Sequence, residues 1–566
     1  MLRLILNHLK LFFITILVYQ TPVISKSASF ERFDSKYLAN YFSGIIAFEN
    51  KNNSDSLEFF RSSKILLNKH DPYLKRYFFS LVLEGKVSAA TNLIKQNIRK
   101  QNTDFFEGYV LLIIDSIRKS DFDLAEKYLV KLSFLIEQKR FNLIIYETLK
   151  QYVYVFKEKR ISAEKQNFGN LTLITNTFQR CYLNDINTED YFLKLTDKNN
   201  QIDYSRYIYF YLTYLIENNE LQKAKEITKD INFLGSTILL SQGKAWIDQN
   251  NFSNFKKFFS CKNHNDLISE FLFLISNLYS SQDRFVESNF YLNIANYLNP
   301  KFIFNNALIA DNYYLNQNYY KAKESLKVFD ENTNFYYWFR IKKESQIISK
   351  QTDDSEKGLN YLMKEYAKIE NPNLKIIYDV ANFHKRAEKY KEAIPFYSKV
   401  LSSIDVKSTT AAEILYRRGG SYERVKDYEN SDKDLLASLQ IDPDDAYVLN
   451  YLAYSWLERD YKIDEAMQML EKAYAAKNND PYIIDSIGWA YYLTNDYIKA
   501  EKFLKRAVQL MPNDPIVNDH YGDILWKLNR KIQARYFWNN VLGFEDAENE
   551  MIEKINIKLV SGLQDT

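Results

Sequence analysis

The fold is decided by the stretch Pro481–Asp514, PYIIDSIGWAYYLTNDYIKAEKFLKRAVQLMPND, which divides into two helical halves. Gly488 in the first half and Ala500 in the second are small, which lets two antiparallel helices cross closely. Tyr491 and Leu504 fill the space beside that crossing. The stretch therefore predicts one helical hairpin.

The spacing within this hairpin matches the tetratricopeptide-repeat (TPR) pattern of G-x2-Y, then A-x3-F, then A and P. The six matching positions are Gly488, Tyr491, Ala500, Leu504, Ala507 and Pro512, with Leu in place of Phe. Ala507 leaves room for the next repeat. Pro512 ends the second helix because proline lacks an N–H and restricts the residue before it.

Neighbouring units keep this register, so the chain reads as an array of repeats. The unit from Ala412 fills the same positions with Gly419, Tyr422, Ser431, Leu435, Ser438 and Pro443. Weaker matches reach back through Ser276 and Ala90 to Gly44. The sequence predicts an all-α, right-handed TPR superhelical solenoid of antiparallel helix pairs. Another α-helical hairpin array, such as a Sel1-like one, is the alternative, mainly before residue 260.

Composition favours helices joined by short turns, because 13 Gly and 9 Pro in 566 residues are too few for many short strands. Basic and acidic residues nearly cancel to a net charge of +3, so no strong long-range field is expected. Adjacent basic residues come as isolated pairs such as Arg99 and Lys100, and no basic stripe is present. We therefore expect no nucleic-acid partner.

The N-terminus has the order of a Sec signal peptide. A weakly basic start is followed by the apolar run from Leu11 to Tyr19, then by Pro22 and small residues near Ser25 to Ala28. The apolar run is short for a membrane span, which needs roughly 20 residues. We expect export to the periplasm with cleavage near Ser25 to Ala28, and an uncleaved anchor is the alternative.

Cys181 and Cys261 are the only cysteines. They could pair in an oxidising compartment. Because distant helices of a solenoid rarely meet, two separate buried thiols are expected instead. Cys261 and His264 have a ligand-like spacing, but a tetrahedral site needs more partners, and no metal site is predicted.

Four stretches near the C-terminus carry a family resemblance: Leu449–Trp456 (LNYLAYSW), Ile463–Ala466 (IDEA), Asp485–Tyr492 (DSIGWAYY) and Asn518–Trp526 (NDHYGDILW). They resemble the C-terminal block of a family of exported proteobacterial TPR proteins, closely over about 410–545 and collinearly back to about residue 35. Some members carry a lipid-modified cysteine near the N-terminus, which this chain lacks. Some similar periplasmic proteins are adaptors that bring substrates to proteases or envelope machinery, so the resemblance implies an adaptor.

The resemblance also implies which first-helix positions line a concave groove. They fall on Asn450, Tyr454, Asp485, Trp489, Tyr492, Asp519, Asp523 and Trp526. This aromatic and acidic set suits a peptide with apolar and basic side chains. The alternative is that the aromatics pack between repeats and the acids are solvated.

No catalytic constellation is recognisable: the chain has no G-x-S-x-G, no phosphate-binding glycine loop and no H-E-x-x-H. Asp519 beside His520 resembles a base and its orienting group, yet no nucleophile accompanies them. We expect a non-enzymatic scaffold or adaptor with a protein or peptide partner, peripheral envelope association, no cofactor and no small-molecule substrate. A structural subunit of an envelope assembly is the alternative.

The predicted organisation has five segments. They are a signal peptide at 1–28, a divergent N-terminal TPR-like array at 29–260, a middle array at 261–400, a well-matched C-terminal array at 401–548 and a capping helix at 549–566.

Overall fold

The computed structural model describes residues 35–97, 104–136, 139–162, 166–197, 205–229, 231, 234–331, 334–544 and 547–563. Within these ranges every regular element is a helix. The predicted signal peptide at 1–28 lies outside the described residues. The chain divides into two compact units, and the division falls inside the predicted middle array. Unit 1 comprises the described parts of Met1–Asp230 with Thr237–Tyr337, and unit 2 comprises Ile231–Ser236 with Trp338–Thr566.

Within its described residues, unit 1 is built from helices of 6 to 19 residues and two 3-10 turns. They are α1 (Ser35–Glu49), α2 (Asn53–Ser62), a 3-10 turn (Lys64–Asn68), α3 (Asp71–Leu83), α4 (Val87–Asn97), α5 (Phe106–Arg118), α6 (Phe122–Ser133), α7 (Arg140–Glu158), α8 (Asn170–Leu183), α9 (Thr188–Leu195), α10 (Ser205–Glu217), α11 (Leu221–Lys229), α12 (Ile238–Asp248), α13 (Ser253–Phe258), α14 (His264–Ser280), α15 (Phe285–Leu298), a 3-10 turn (Ile303–Asn305), α16 (Asn306–Leu315) and α17 (Tyr319–Leu326).

Unit 2 is a regular series of helix pairs. Its helices are α18 (Asn334–Thr352, which begins in unit 1), α19 (Ser355–Tyr366), α20 (Leu374–Arg386), α21 (Tyr390–Leu401), α22 (Thr409–Arg424), α23 (Tyr428–Ile441), α24 (Ala446–Glu458), α25 (Ile463–Ala476), α26 (Pro481–Leu493), α27 (Tyr497–Leu510), α28 (Pro515–Lys527), α29 (Lys531–Val541) and α30 (Asn549–Ser561). Consecutive helices pack against each other as antiparallel pairs. The structure thus confirms the predicted all-α fold of paired helices.

Turn chemistry explains where these helices begin. In several pairs, a residue with a left-handed backbone precedes an Asp or Asn that caps the second helix, as with Asn495 (φ 62°) followed by Asp496. Between pairs, Asp480 and Asp514 each accept hydrogen bonds from two backbone N–H groups of the next helix. Such caps satisfy donors that the first turn leaves unpaired.

The core of unit 2 follows the small and large positions of the repeat. Ala500 and Leu504 have no exposed surface, and a Cβ added to Gly488 would lie 2.8 Å from Leu504 Cγ. The two helices therefore touch through this glycine, as the spacing predicts. Burying a side chain such as Leu504 contributes roughly 1.5–3 kcal/mol.

Unit 1 departs from a simple array in which each repeat contacts only its neighbours. Helix α14 contacts α5 and α7, and α15 contacts α3 and α4, which come much earlier in the chain. Phe79 on α3 stacks on Phe290 on α15 with ring centroids 4.7 Å apart. The guanidinium of Arg206 on α10 binds the buried carboxylate of Glu270 on α14 through two hydrogen bonds of 2.8 and 2.7 Å.

The expectation of two separate thiols is wrong. Cys181 on α8 and Cys261, just before α14, form a disulfide with their Cα atoms 5.8 Å apart. The error has a physical cause, because that expectation assumed contacts between neighbouring repeats only. In unit 1, α14 also packs against α8, which brings residues 80 positions apart together.

The C-terminal helix α30 covers the last pair. Ile555 is fully buried in one apolar cluster with Trp538 and Val541 of α29, and Met551 and Leu559 pack against it. The helical spacing of these apolar residues is what predicts a cap. The last positions of the predicted capping segment, 564–566, lie outside the described residues.

Candidate functional site

Three first helices of successive pairs, α24, α26 and α28, lie side by side in unit 2, and α26 contacts both of the others. The Asp caps described above fix where α26 and α28 start. Residues at equivalent positions of the three helices therefore form rows across one face, which we call the first-helix face.

The structure brings the predicted groove residues together on this face. Asn450 and Tyr454 lie on α24, Asp485, Trp489 and Tyr492 lie on α26, and Asp519, Asp523 and Trp526 lie on α28. Asp485 and Asp523 are buried, and the other six are half-buried. The role of these residues in binding remains a prediction.

Trp489 is the centre of an aromatic stack. Its ring lies 4.6 Å from that of Tyr492, with planes 10° apart, and 4.0 Å from the imidazole of His520, with planes 13° apart. Its Nε1 donates to Oε1 of the exposed Glu458 at 2.9 Å. Two adjacent helices thus fix the orientation of one partly exposed indole.

His520 pairs with Asp485 of the preceding repeat. Its Nδ1 lies 2.8 Å from Asp485 Oδ2, and both side chains are buried. Burial lowers the pKa of His520, but the carboxylates of Asp485, Asp519 and Asp523 together outweigh it, and the pKa is raised overall. A protonated imidazole stacked on Trp489 also gains from the negative face of the indole.

The two carboxylates on α28 are compensated by the capping helix. Lys558 of α30 donates to Asp519 Oδ1 at 2.6 Å and to both oxygens of Asp523 at 2.8 Å. Asp523 also accepts from Trp538 Nε1 at 2.9 Å. Burial and the neighbouring Asp519 raise the pKa of Asp523 to about 6. These acids are therefore not free charges that await a basic ligand.

Trp526 packs against the cap. A Cβ on Gly562 would lie 1.9 Å from Trp526 Cζ2, so only glycine fits beside the ring at this left-handed position (φ 77°). Lys531 and Arg535 lie over the indole at 5.0 and 4.9 Å from its centroid. Among the predicted aromatic residues, Trp526 thus packs against Gly562 at the end of α30 and helps to attach this helix.

Two acceptors on the first-helix face have no hydrogen-bond donor among the described residues. They are Oδ1 of Asn450 and Oδ1 of Asp485. The phenol of Tyr454 lies near the carboxylates of Glu458, Asp485 and Asp519, and burial followed by these charges raises its pKa. Both acceptor atoms are buried, so the groups that this face offers to a ligand are its partly exposed rings.

Sequence reasoning missed three residues of this site: Glu458, His520 as the partner of Asp485, and Lys558. His520 was considered only beside Asp519, its neighbour in the chain. The spacing of one repeat places position five of one unit beside position six of the next, and this periodicity was the signal for the Asp485 pair. Lys558 carried no comparable signal, because it lies outside the repeat.

The described residues give no sign of a metal centre or a membrane span. Across them, no cluster of three or more His, Cys, Asp or Glu side chains is placed to hold a metal ion. Among the same residues, no helix combines the length and the apolar character that crossing a bilayer requires.

Two segments of unit 2 match the tetratricopeptide-repeat family model, at residues 412–445 and 483–514. They correspond to the pairs α22–α23 and α26–α27. In these two segments, the paired helices and the family match both indicate TPR repeats.

Among known proteins, the chain is 34% identical over 110 residues to the TPR repeat-containing protein PA4667 of Pseudomonas aeruginosa, which is 19% of this chain and 18% of that protein. This chain thus spans less than a fifth of the length of that curated relative.

Two of the solved structures with partial likeness are of TPR proteins. TTC0263 of Thermus thermophilus is 15% identical with a TM-score of 0.30, and covers 33% of this chain and 100% of its own. A tetratricopeptide repeat protein from Parabacteroides merdae is 18% identical with a TM-score of 0.31, and covers 39% of this chain and 86% of its own. The fold assignment rests on this chain's own helix pairs.

Proposed function

We propose that this chain is a non-enzymatic scaffold that holds a protein partner along the first-helix face of unit 2. The observation that carries the proposal is the stack of Trp489 on Tyr492 and His520, which keeps an indole partly exposed in a fixed orientation. Rigid, partly exposed aromatic rings are frequent interface hot spots. TPR proteins in general bind other proteins.

The charges on the face define the partner more closely. Asp485, Asp519 and Asp523 are already paired with His520 and Lys558, whereas Glu458 is exposed at the edge of the stack. We propose an extended segment that places an apolar or aromatic side chain on Trp489 and Tyr492 and a basic side chain near Glu458.

We further propose that the chain is exported to the periplasm and acts there as an adaptor that delivers proteins to envelope machinery such as a protease. The signal-like order of the N-terminal residues supports export. The Cys181–Cys261 disulfide is further support, since disulfides persist in oxidising compartments.

In-cell crosslinking followed by affinity purification tests this function. The double variant Trp489→Ala, Tyr492→Ala removes the stack, and Ile498→Ala, Ile532→Ala is the matched control because these two side chains are 82% and 88% exposed on second helices. We expect the partner to be lost from the first variant and kept by the control, with both variants folded. A partner held equally by all three forms would favour the structural-subunit alternative.

A further inference from the structure

A large open cavity lies within unit 1. Its volume is 820 Å³, within the usual range of roughly 300–1,000 Å³ for ligand pockets. It is formed where α3 and α5 meet α14 and α15, beside the start of α7. The packing of α14 and α15 against these earlier helices therefore creates the cavity.

The walls of the cavity are aromatic. Phe79 stacks on Phe290, Tyr279 stacks on Tyr291 with planes 7° apart, and Phe141 lies 4.7 Å from Tyr279. Phe290, Tyr279 and Tyr291 are themselves buried. Phe79 and Phe141 remain partly exposed, and covering their apolar surface with a ligand is favourable.

The lining is also cationic, with five basic side chains and two carboxylates. Both carboxylates already have a basic neighbour. Oε2 of Glu107 lies 3.4 Å from Nζ of Lys75, and Oε1 of Glu287 lies 2.6 Å from Nη2 of Arg284. Arg76 donates to the phenol of Tyr41, which is a neutral partner. Arg140 has no ion pair among the described residues, so the cavity carries an excess of positive charge.

The start of α7 supplies polar groups that face the cavity. Asn142 lines it and is only 7% exposed, and its side-chain amide makes no hydrogen bond to any described residue. Lys139, the residue before the helix, makes no side-chain cap, and no described residue accepts a hydrogen bond from the backbone N–H groups of Phe141 and Asn142. Free N–H groups at a helix start favour an anionic ligand group.

We propose that this cavity binds a single-chain anionic amphiphile, with its apolar chain between the aromatic walls and its anionic head beside Arg76, Arg140 and the start of α7. A carboxylate and a phosphate head share this chemistry. A peptide fits less well, because each of its residues brings an N–H and a C=O that need partners, and the aromatic walls offer none. This ligand goes beyond the protein partners expected from the sequence.

Isothermal titration calorimetry of the full chain tests the proposal with three probes kept below their micelle concentrations: laurate, dodecyl phosphate and dodecyltrimethylammonium. Laurate, dodecyl phosphate or both should bind one per chain, and comparing the two identifies the preferred head group. The cationic probe should bind at least about tenfold more weakly. The proposal would be overturned if neither anion bound, or if the cationic probe bound as tightly as the anions.

Variants place the binding in this cavity. Arg76→Gln with Arg140→Gln should weaken binding of the anion by about tenfold or more, and the exposed single change Arg140→Gln should weaken it less. Val286→Trp, at a lining residue that is 38% exposed, should narrow the cavity and weaken binding of the anion by about tenfold or more. Arg160→Gln, beyond the far end of α7, is the matched control and should leave binding unchanged. Wild-type affinity in a folded Val286→Trp protein would show that the ligand lies elsewhere, which contradicts the assignment.

Discussion

His520 on α28 and Asp485 on α26 form a buried pair between two successive repeats, with Nδ1 and Oδ2 2.8 Å apart. The pair lies beneath the exposed edge of Trp489, which stacks on the same imidazole. The orientation of the indole on the first-helix face thus depends on an interaction between repeats. A change in the pair should therefore alter both the stability of unit 2 and the shape of its proposed binding face.

The pair predicts a pH dependence of stability. The pKa of His520 is raised in the folded chain, so its contribution is full below the unfolded value of about 6.5 and is lost as the pH rises through the folded value. Burial lowers the pKa of His384, which stacks on Phe396. Its contribution to stability therefore has the opposite pH dependence and is lost as the pH falls. In denaturant titrations from pH 5 to 9, His520→Gln should remove a loss of stability at high pH, and His384→Gln should remove a loss at low pH. Identical profiles for the two variants would contradict this assignment.

Lys558 should be necessary for the attachment of the cap. Lys558→Gln leaves Asp519 and the buried Asp523 without their cation, which should cost about 2–4 kcal/mol near pH 8. The deficit should shrink as the pH falls towards 6, because the pKa of Asp523 is about 6 with Lys558 present and removing this cation raises it further, so that protonation removes the uncompensated charge. Lys554→Gln is the control, since Lys554 is exposed on the same helix and pairs with the exposed Glu550. The free energy of unfolding of unit 2 is measured for both variants. Equal losses of stability in the two would contradict the role of Lys558 in attaching the cap.

Two adjacent glycines in α22 distinguish close packing from helix propensity. A Cβ at Gly419 would lie 2.9 Å from Cγ of Leu435, which is fully buried, whereas at Gly420 the nearest atom would be 3.4 Å away at the hydroxyl of Tyr451. Gly419→Ala should therefore destabilise unit 2 by about 1–3 kcal/mol. Gly420→Ala should be neutral or should stabilise it by up to about 1 kcal/mol. Thermal unfolding of both variants checks the order, and the reverse order would mean that the two helices do not cross at Gly419.

The disulfide should support unit 1 specifically. Replacing Cys181 and Cys261 with serine should lower the stability of unit 1 by about 2–4 kcal/mol, because the unfolded chain is no longer constrained. The pair α26–α27 in unit 2 should be unaffected, as hydrogen exchange resolved by segment would show. Alkylation of both thiols in the denatured, unreduced protein would contradict the pairing.

The regular part of the fold was predictable because its determinants are local. Gly488, Ala500 and Leu504 repeat at fixed spacing, and each acts within its own hairpin. The packing of α14 and α15 against much earlier helices of unit 1 was not predictable from repeat spacing. Contacts such as Phe79 with Phe290 and Cys181 with Cys261 join helices far apart in sequence, and no periodic signal marks them.

The sequence was sufficient to predict where the candidate site lies, but it did not show which residues neutralise its acidic side chains. Repeat register was sufficient to place Trp489 and Tyr492 on one face with Asp485. The partners that determine the charge of the acids, His520 and Lys558, come from the next repeat and from the cap. A side chain's neighbours across repeats depend on packing, which a single repeat does not specify.

The central claim is that a protein partner lies on the first-helix face, and site-specific photo-crosslinking in cells tests it most directly. A photoreactive residue replaces Tyr454 or Tyr492 on that face, or Ile498 or Ile532 on second helices. The account predicts a crosslink to the same partner from positions 454 and 492, absent from 498 and 532, and lost when Trp489→Ala is added. Crosslinks to that partner from 498 and 532 alone would contradict it, because the partner would then lie on the opposite helices of the pairs.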